Sequence, residues 1–370
     1  MLEHSFYKKI IKQFFYFDVV LLICTFLLII MGIFAIYSAS SNGLNFLFIK
    51  QIIFYIVGTI FLFVVFNINY NFLIAISNYL YIFFIVILIV VLIIGKETMG
   101  AQRWLNFGWF QFQPSEFMKI IVPLTVIRFI LIKQDEAYKI KNLLKIFIIT
   151  LIPVILILKQ PDLGTALLLF PVILVVLFIG NISIKKLITI IIVFSLLLPI
   201  GYFMLKDYQR QRLQVFLNPE IDKLGSGYNV IQSQIAVGSG KLFGKGWRLG
   251  TQSQLNFIPV KYTDFIFAVI AEEFGFFGSL IVIIIYFILI MECLKIIKLC
   301  RFTGGKMLGI SITTIIFLQI FINIGMTIGI MPVTGITLPL LSYGGTSVII
   351  IMISLGIMQN IYKEYIKAEK

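Results

Sequence analysis

The chain is 370 residues long, with 60% hydrophobic and 12% charged residues and a mean hydropathy of +1.06. A soluble domain carries about 25% charged residues, so a water-soluble globule and a disordered chain are both excluded, and apolar runs without polar alternation argue against a β-barrel. What remains is an all-α polytopic membrane protein, in which the net charge of +14 is read by its distribution and not as affinity for nucleic acid.

In chain order, the basic residues Lys8, Lys9 and Lys12 precede a first apolar run over 17–37. Ser38-Ala39-Ser40 looks like a cleavage site, but the run exceeds a signal-peptide core, so an uncleaved helix is expected. Ten candidate spans follow from the need for about 20 apolar residues each: 17–37, 46–66, 71–94, 116–132, 144–158, 164–180, 187–205, 264–294, 307–330 and 340–361. With the N-terminus in the cytoplasm, sixteen Lys and Arg fall in inside segments and five in short outside ones. That bias places both termini in the cytoplasm. The long loop 206–263, between the seventh and eighth spans, then lies outside the cell, within a single membrane domain covering 1–370. It interleaves Gly and Gln with apolar residues and is expected to form an ordered cap with a short amphipathic helix near 228–239. Cys24, Cys293 and Cys300 have no metal-ligand spacing and read as buried or cytoplasmic thiols. His4 is the lone histidine, which leaves little room for His-based catalysis or a His metal site.

Ionisable residues at membrane depth are candidates for function: Glu116, Asp162, Asp264, Glu272, Glu273 and Glu292. Several have plain alternatives. Ser115-Glu116 and Thr263-Asp264 make good helix starts. Glu116 and Lys119, three apart, can simply neutralise each other. Pro161-Asp162-Leu163-Gly164 reads as a tight turn. Glu272 and Glu273, about 12 Å below Asp264 at 1.5 Å per residue, are expected to be buried partners of a cation on another helix. Arg and Lys in the outer loops are solvated charges or a site for a phosphorylated, membrane-embedded anion. The stretch Met331–Ser347 is too rich in Gly and Pro for a plain span and is expected to be broken backbone facing protein or a wet cavity. By residues alone, a transporter and an enzyme with an outward cavity fit equally.

Six segments then occur together and in order: Gln102-Arg103-Trp104-Leu105, Phe112-Gln113-Pro114-Ser115-Glu116, Gln160–Thr165, Thr263–Val269, Ala271-Glu272-Glu273 and Leu338–Gly345. As an ordered set they resemble the SEDS family (shape, elongation, division and sporulation proteins) over most of the chain. Gly244-Lys245-Gly246-Trp247, Gly250–Leu255, Val122-Pro123 and Arg128-Phe129 are similar to its elongation branch. The resemblance implies a peptidoglycan glycosyltransferase. It would join the sugar units of lipid II, a disaccharide-pentapeptide on undecaprenyl pyrophosphate, by inverting transfer into β-1,4 glycan for cell-wall elongation. It implies Asp264 as the catalytic base or orienting carboxylate. Arg103, Lys119, Arg210 and Arg212 become candidate pyrophosphate contacts, and Trp104 a surface for sugar or lipid. Glu116 would position Lys119, and Asp162 would shape the cavity floor. A divalent cation, magnesium or manganese, is an alternative source of positive charge, with no ligand set assigned. The implied partner is a class B penicillin-binding transpeptidase within the elongation machinery of the bacterial inner membrane. One departure stands out: Pro259-Val260-Lys261-Tyr262 replaces the Glu and His usual before the Thr-Asp-Phe run. It leaves a cation, Lys261, beside Asp264 in sequence, which is expected to favour the ionised form if the two side chains are close. The competing readings are a lipid II flippase, which needs a cavity open to both faces, and a non-catalytic scaffold of the elongation complex.

Overall fold

The computed structural model describes residues 16–40, 45–98, 101–204, 207–222, 225–259 and 261–369. His4, Lys8, Lys9, Lys12, Lys206, Lys223, Val260 and Lys370 lie outside the described residues.

Among the described residues, long helices overlap the predicted apolar runs: α1 (Val19–Ala39), α2 (Asn45–Asn67), α3 (Tyr70–Ile94), α4 (Pro114–Lys133), α5 (Ile140–Lys159), α6 (Leu163–Ile179) and α7 (Ile184–Met204), then α11 (Ile266–Leu299), α12 (Thr303–Thr327) and α13 (Gly345–Glu369). By length and composition, seven helices among the described residues suffice to cross a membrane, and α6 is a shorter apolar helix. Helix α4 is not among the seven; it carries Glu116, Lys119, Arg128 and Lys133, which lower its hydropathy. The last helix starts at Gly345 rather than at residue 340, because Leu338–Gly344 is held in irregular backbone by bonds to its neighbours.

The loop between α7 and α11 is ordered around three short helices: α8 (Asp207–Leu217), α9 (Ser226–Ser239) and α10 (Thr251–Gln254). Helix α9 is the helix expected near 228–239. A feature absent from the sequence reading is a small antiparallel sheet between α3 and α4. Its strands are β1 (Lys96–Thr98), β2 (Ala101–Asn106) and β3 (Gln111–Phe112), in the order β1-β2-β3. Strands this short carry too little alternation to stand out from apolar flanks.

Polar residues tie the bundle where helices meet. Asp18 caps α1 by accepting from the Leu21 amide at 2.8 Å, and Gln359 of α13 bonds the Asp18 backbone on both sides. Asn360 Nδ2 donates to the Phe66 carbonyl at 2.8 Å, fastening α13 to the end of α2. Gly356 faces the Leu62 backbone, where a Cβ would stand 2.7 Å from the carbonyl oxygen. Small residues of this kind allow helices to pack closely inside a membrane. The outward faces are apolar: Ile23, Phe34, Ile56, Phe83 and Ile93 are all exposed.

Helix α11 is interrupted at Gly275, whose φ of 67° and ψ of −158° break the helical path. The interruption receives the loop 241–246. Phe276 N donates to Lys241 O at 2.8 Å, Lys245 N to Glu272 O at 3.0 Å, and Gly246 N to Glu273 O at 3.0 Å.

Candidate active site

Asp264 stands directly before α11. Phe265 is the N-cap residue of that helix, and no side chain caps this end. The helix-start reading of Asp264 is therefore not what its carboxylate does. The backbone around it is laced to the irregular segment before α13. Asn323 Nδ2 donates to Asp264 O at 3.0 Å and to Ile336 O at 2.7 Å. Ser342 Oγ donates to Thr263 O at 2.6 Å and accepts from Leu338 N at 2.8 Å. Tyr343 N donates to Tyr262 O at 2.8 Å. The broken segment is thus a scaffold that holds residues 262–264 in place.

Gly335 supplies the closest approach. Its φ is +76°, and a Cβ built on it would stand 3.8 Å from Asp264 Oδ2 and 3.9 Å from Arg212 Nη1. The carboxylate and the guanidinium therefore flank the same glycine. Arg212 Nη1 also donates to Val333 O at 3.3 Å, which ties α8 to this segment.

Arg103, on β2, supplies the second cation. Its Nη1 lies 3.8 Å from Asp162 Oδ1, and its guanidinium sits 4.7 Å from the Trp104 ring centroid. Asp162 is buried and heavily bonded. It accepts from Gln113 Nε2 at 2.9 Å, from Ser115 Oγ at 3.0 Å and, as the N-cap of α6, from Thr165 N at 3.2 Å. The expected turn at Pro161–Gly164 is therefore also a polar junction between the Gln113-Pro114-Ser115 start of α4 and the start of α6.

These groups act on one another. Burial pushes the Asp264 carboxyl above the usual carboxylate range. The Arg103 and Arg212 guanidinium groups and the Thr263 hydroxyl pull it back, and the Asp162 charge adds to the upward push. The result is a carboxyl more basic than a solvated one, held among cations.

Of the other basic residues, Lys261 departs from expectation. Lys261 does not serve Asp264: its ammonium donates to Ser253 O and, at 2.8 Å, to Asn256 Oδ1. Burial lowers its pKa, while the charges of Glu273 and Glu272 raise it. The charges that act on it are those of the α11 carboxylates. Lys119 is 2% exposed and pairs with Glu116 at 2.6 Å, the local neutralisation that their spacing predicted. Arg210 is half-buried on α8, two residues from Arg212, so the two do not share a helix face.

Glu272 and Glu273 do have buried partners, but these come from the loop and α1. Lys245 Nζ lies 2.8 Å from Glu272 Oε1, and the Gln252 and Ser253 amides donate to the same carboxylate at 2.8 and 3.0 Å. Ser38 Oγ donates to Glu273, joined by Gln254 Nε2 at 3.3 Å. The residues missed by sequence are Asn323, Ser342 and Gly335. Asn323 left a signal, an amide four residues after Gln319 in an otherwise apolar run, but neither group is ionisable.

Among the described residues, no group of three or more His, Cys, Asp or Glu is placed to hold a metal. Asp162 and Asp264 already face guanidinium groups, a poor donor set for a divalent cation. Among the described residues, the Arg103 and Arg212 guanidinium groups bring positive charge to Asp264.

The profile of the cell cycle protein family (FtsW, RodA and SpoVE) matches residues 18–367. The chain is 45% identical over 286 residues to the peptidoglycan glycosyltransferase MrdB of Escherichia coli K12, covering 77% of each. It is 32% identical over 421 aligned positions to the peptidoglycan glycosyltransferase RodA of Treponema pallidum, covering 93% of this chain and 97% of the relative. A solved chain from a peptidoglycan synthase complex that coordinates polymerisation and crosslinking superimposes with a TM-score of 0.81 at 27% identity, covering 94% of this chain and 98% of that one. With the six motifs in family order and nearly the whole chain matched, this protein belongs to the SEDS family.

Proposed function

We infer that this chain is a peptidoglycan glycosyltransferase that polymerises lipid II, the activity carried in the names of its relatives. The observation that carries the reading is the Asp264 carboxylate, raised by burial and flanked by Arg103 and Arg212 beside Gly335. Inverting transfer needs one base at the acceptor hydroxyl and positive charge at the departing pyrophosphate. Asp264 accepts the proton of the acceptor 4-hydroxyl as its oxygen attacks the donor's anomeric carbon. The bond from that carbon to the pyrophosphate breaks, and its electron pair leaves with undecaprenyl pyrophosphate. Arginine stabilises the charge gathering there, and Asp162 holds Arg103 in place. Asn323 and Ser342 keep the Thr263-Asp264 backbone from moving during attack.

The test is a gel-resolved polymerisation assay with purified protein and lipid II. Asp264→Ala lowers glycan formation by at least about a hundredfold while the variant elutes and melts as a folded protein. Full polymerisation by this variant would end the assignment.

The distribution of Lys and Arg between the segments supports a position in the bacterial inner membrane with both termini in the cytoplasm and 206–263 outside. The crosslinking partner is then a class B penicillin-binding transpeptidase, in line with the complex from which the similar solved chain comes.

A further inference from the structure

Helix α12 carries two fully buried amides one turn apart, Gln319 and Asn323. Asn323 Nδ2 is engaged by the Asp264 and Ile336 carbonyls, while its Oδ1 has no hydrogen-bond partner among the described residues. Gln319 goes further, since neither its Nε2 nor its Oε1 has one. On α4, Glu116 presents Oε1 to Lys119 at 2.6 Å, and its buried Oε2 is likewise unpartnered among the described residues.

Contacts at both ends of α4 and α12 set Gln319 at the height of Glu116. The two helices pack together. Gly304, at the start of α12, meets Leu131, near the end of α4, where a Cβ on the glycine would stand 2.9 Å from Leu131 Cδ1. At the opposite end, Ser115 of α4 donates to Asp162 before α6. Gly164 of α6 abuts Ile336, with a Cβ 2.8 Å from Ile336 Cγ1, and Asn323 holds the Ile336 carbonyl. The helices therefore run in opposite directions, and at about 1.5 Å per residue Ser115-Glu116 comes level with Gln319-Ile320. At about 100° per residue, Gln319 lies about 60° round α12 from Gly304, so it leaves the helix on the side turned to α4.

Buried polar groups in folded proteins are nearly all hydrogen-bonded, and ordered water completes those that no protein group reaches. The groups here call for a partner that both donates and accepts. Gln319 Nε2 offers protons, and Gln319 Oε1, Asn323 Oδ1 and Glu116 Oε2 need them. A metal cation would leave the Nε2 protons unmet; water meets both needs. We propose that ordered water joins Gln319 to Asn323 and Glu116, and that Gln319 is thereby a positioning residue for the transfer. The water accepts from Gln319 Nε2 and donates to Asn323 Oδ1 and Glu116 Oε2. A proton at Oδ1 polarises the Asn323 amide and strengthens its bonds to the Asp264 and Ile336 carbonyls. The backbone that carries the base is then tied to the buried Glu116–Lys119 pair. The positioning role rests on the polymerase reading.

The experiment compares thermal melts and steady-state glycan formation from lipid II for the purified full chain and its Gln319→Met variant, which removes the amide at similar volume. If Gln319 has no partner, losing a buried orphaned amide leaves the melting temperature unchanged or raises it. With the water in place, Gln319→Met melts lower by about 1–3 °C, and kcat falls about tenfold while KM for lipid II is unchanged. Gln319→Asn, which keeps an amide on the same face, recovers part of both losses. Adding Glu116→Gln to Gln319→Met costs less than the sum of the two single changes. A density map that resolves ordered water shows it between Gln319, Asn323 and Glu116. A variant that melts at or above wild type, or a map with no water there, overturns the water site. A lower melting temperature with kcat intact, or a loss confined to KM, overturns the positioning role. If Gln319→Met does not fold, Gln319→Asn and the map decide. A wild type that makes no glycan ends the polymerase reading, and the melts and the map still decide the water site.

Discussion

At the scale of single residues, Asp264 is shaped by opposed influences whose sum sets how it works with pH. Its carboxyl is raised by burial and lowered by Arg103 and Arg212. As a base it works only when ionised, so the rate falls as pH drops through its raised pKa, at a higher pH than for a solvated aspartate. Arg103→Ala removes one of the lowering charges and moves this acidic limb to higher pH. A pH profile of polymerisation that keeps its acidic limb in this variant would detach Arg103 from Asp264. The same shift bears on stability. The folded state binds this proton more tightly than the unfolded chain, so the stabilisation is present below the unfolded pKa and is lost as pH rises through the folded one. Asp264→Asn imitates the protonated form. It is therefore inactive yet melts higher at neutral pH, by about 1–3 °C, as a thermal melt in detergent would show. The identity of this aspartate was readable from its motif. Its arginine partners were only half readable, because Arg103 lies in a motif and Arg212 in a loop segment outside the matched set.

Among the elements, the break in α11 is the joint on which the loop rests. Gly275 has φ +67°, and a Cβ there would stand 2.3 Å from Gly244 N and 2.7 Å from Leu242 O. Both contacts are backbone, which cannot rotate away. Gly275→Ala is expected to cost about 2–4 kcal/mol through strain and the loss of this docking. Its melting temperature and polymerisation should fall together, since the same loop continues into Asp264. A variant that melts like wild type would show that the loop docks without this break. The sequence marked Glu272 and Glu273 as buried carboxylates in need of partners. It could not identify those partners, because Lys245, Thr251, Gln252 and Ser253 reach Glu272 only after the loop folds back on the helix. For the same reason proximity in sequence misled for Lys261: three residues from Asp264, it turns to Ser253 and Asn256.

For the whole molecule, the pattern of charge and hydropathy implies one topology. A phosphatase reporter, active only outside the cytoplasm, is expected to be inactive when fused after Lys370 and active when inserted in the exposed turn at Lys241–Phe243. Activity at the C-terminus would invert the proposed orientation and place Asp264 on the cytoplasmic side. What the sequence determined by itself is whatever depends on local composition: the membrane class, the approximate positions of the long apolar helices, a helix near 228–239, the broken stretch before α13 and the motif acids. Hydropathy and capping act over a few residues, so they survive in a linear reading. Only the tertiary structure decided which charges meet. Asp264 finds Arg103 and Arg212 from other elements, and Asn323 holds two distant carbonyls. Such contacts are fixed by how the bundle closes on itself, because buried polar groups must find partners wherever packing brings them, and no local pattern in the chain records that outcome.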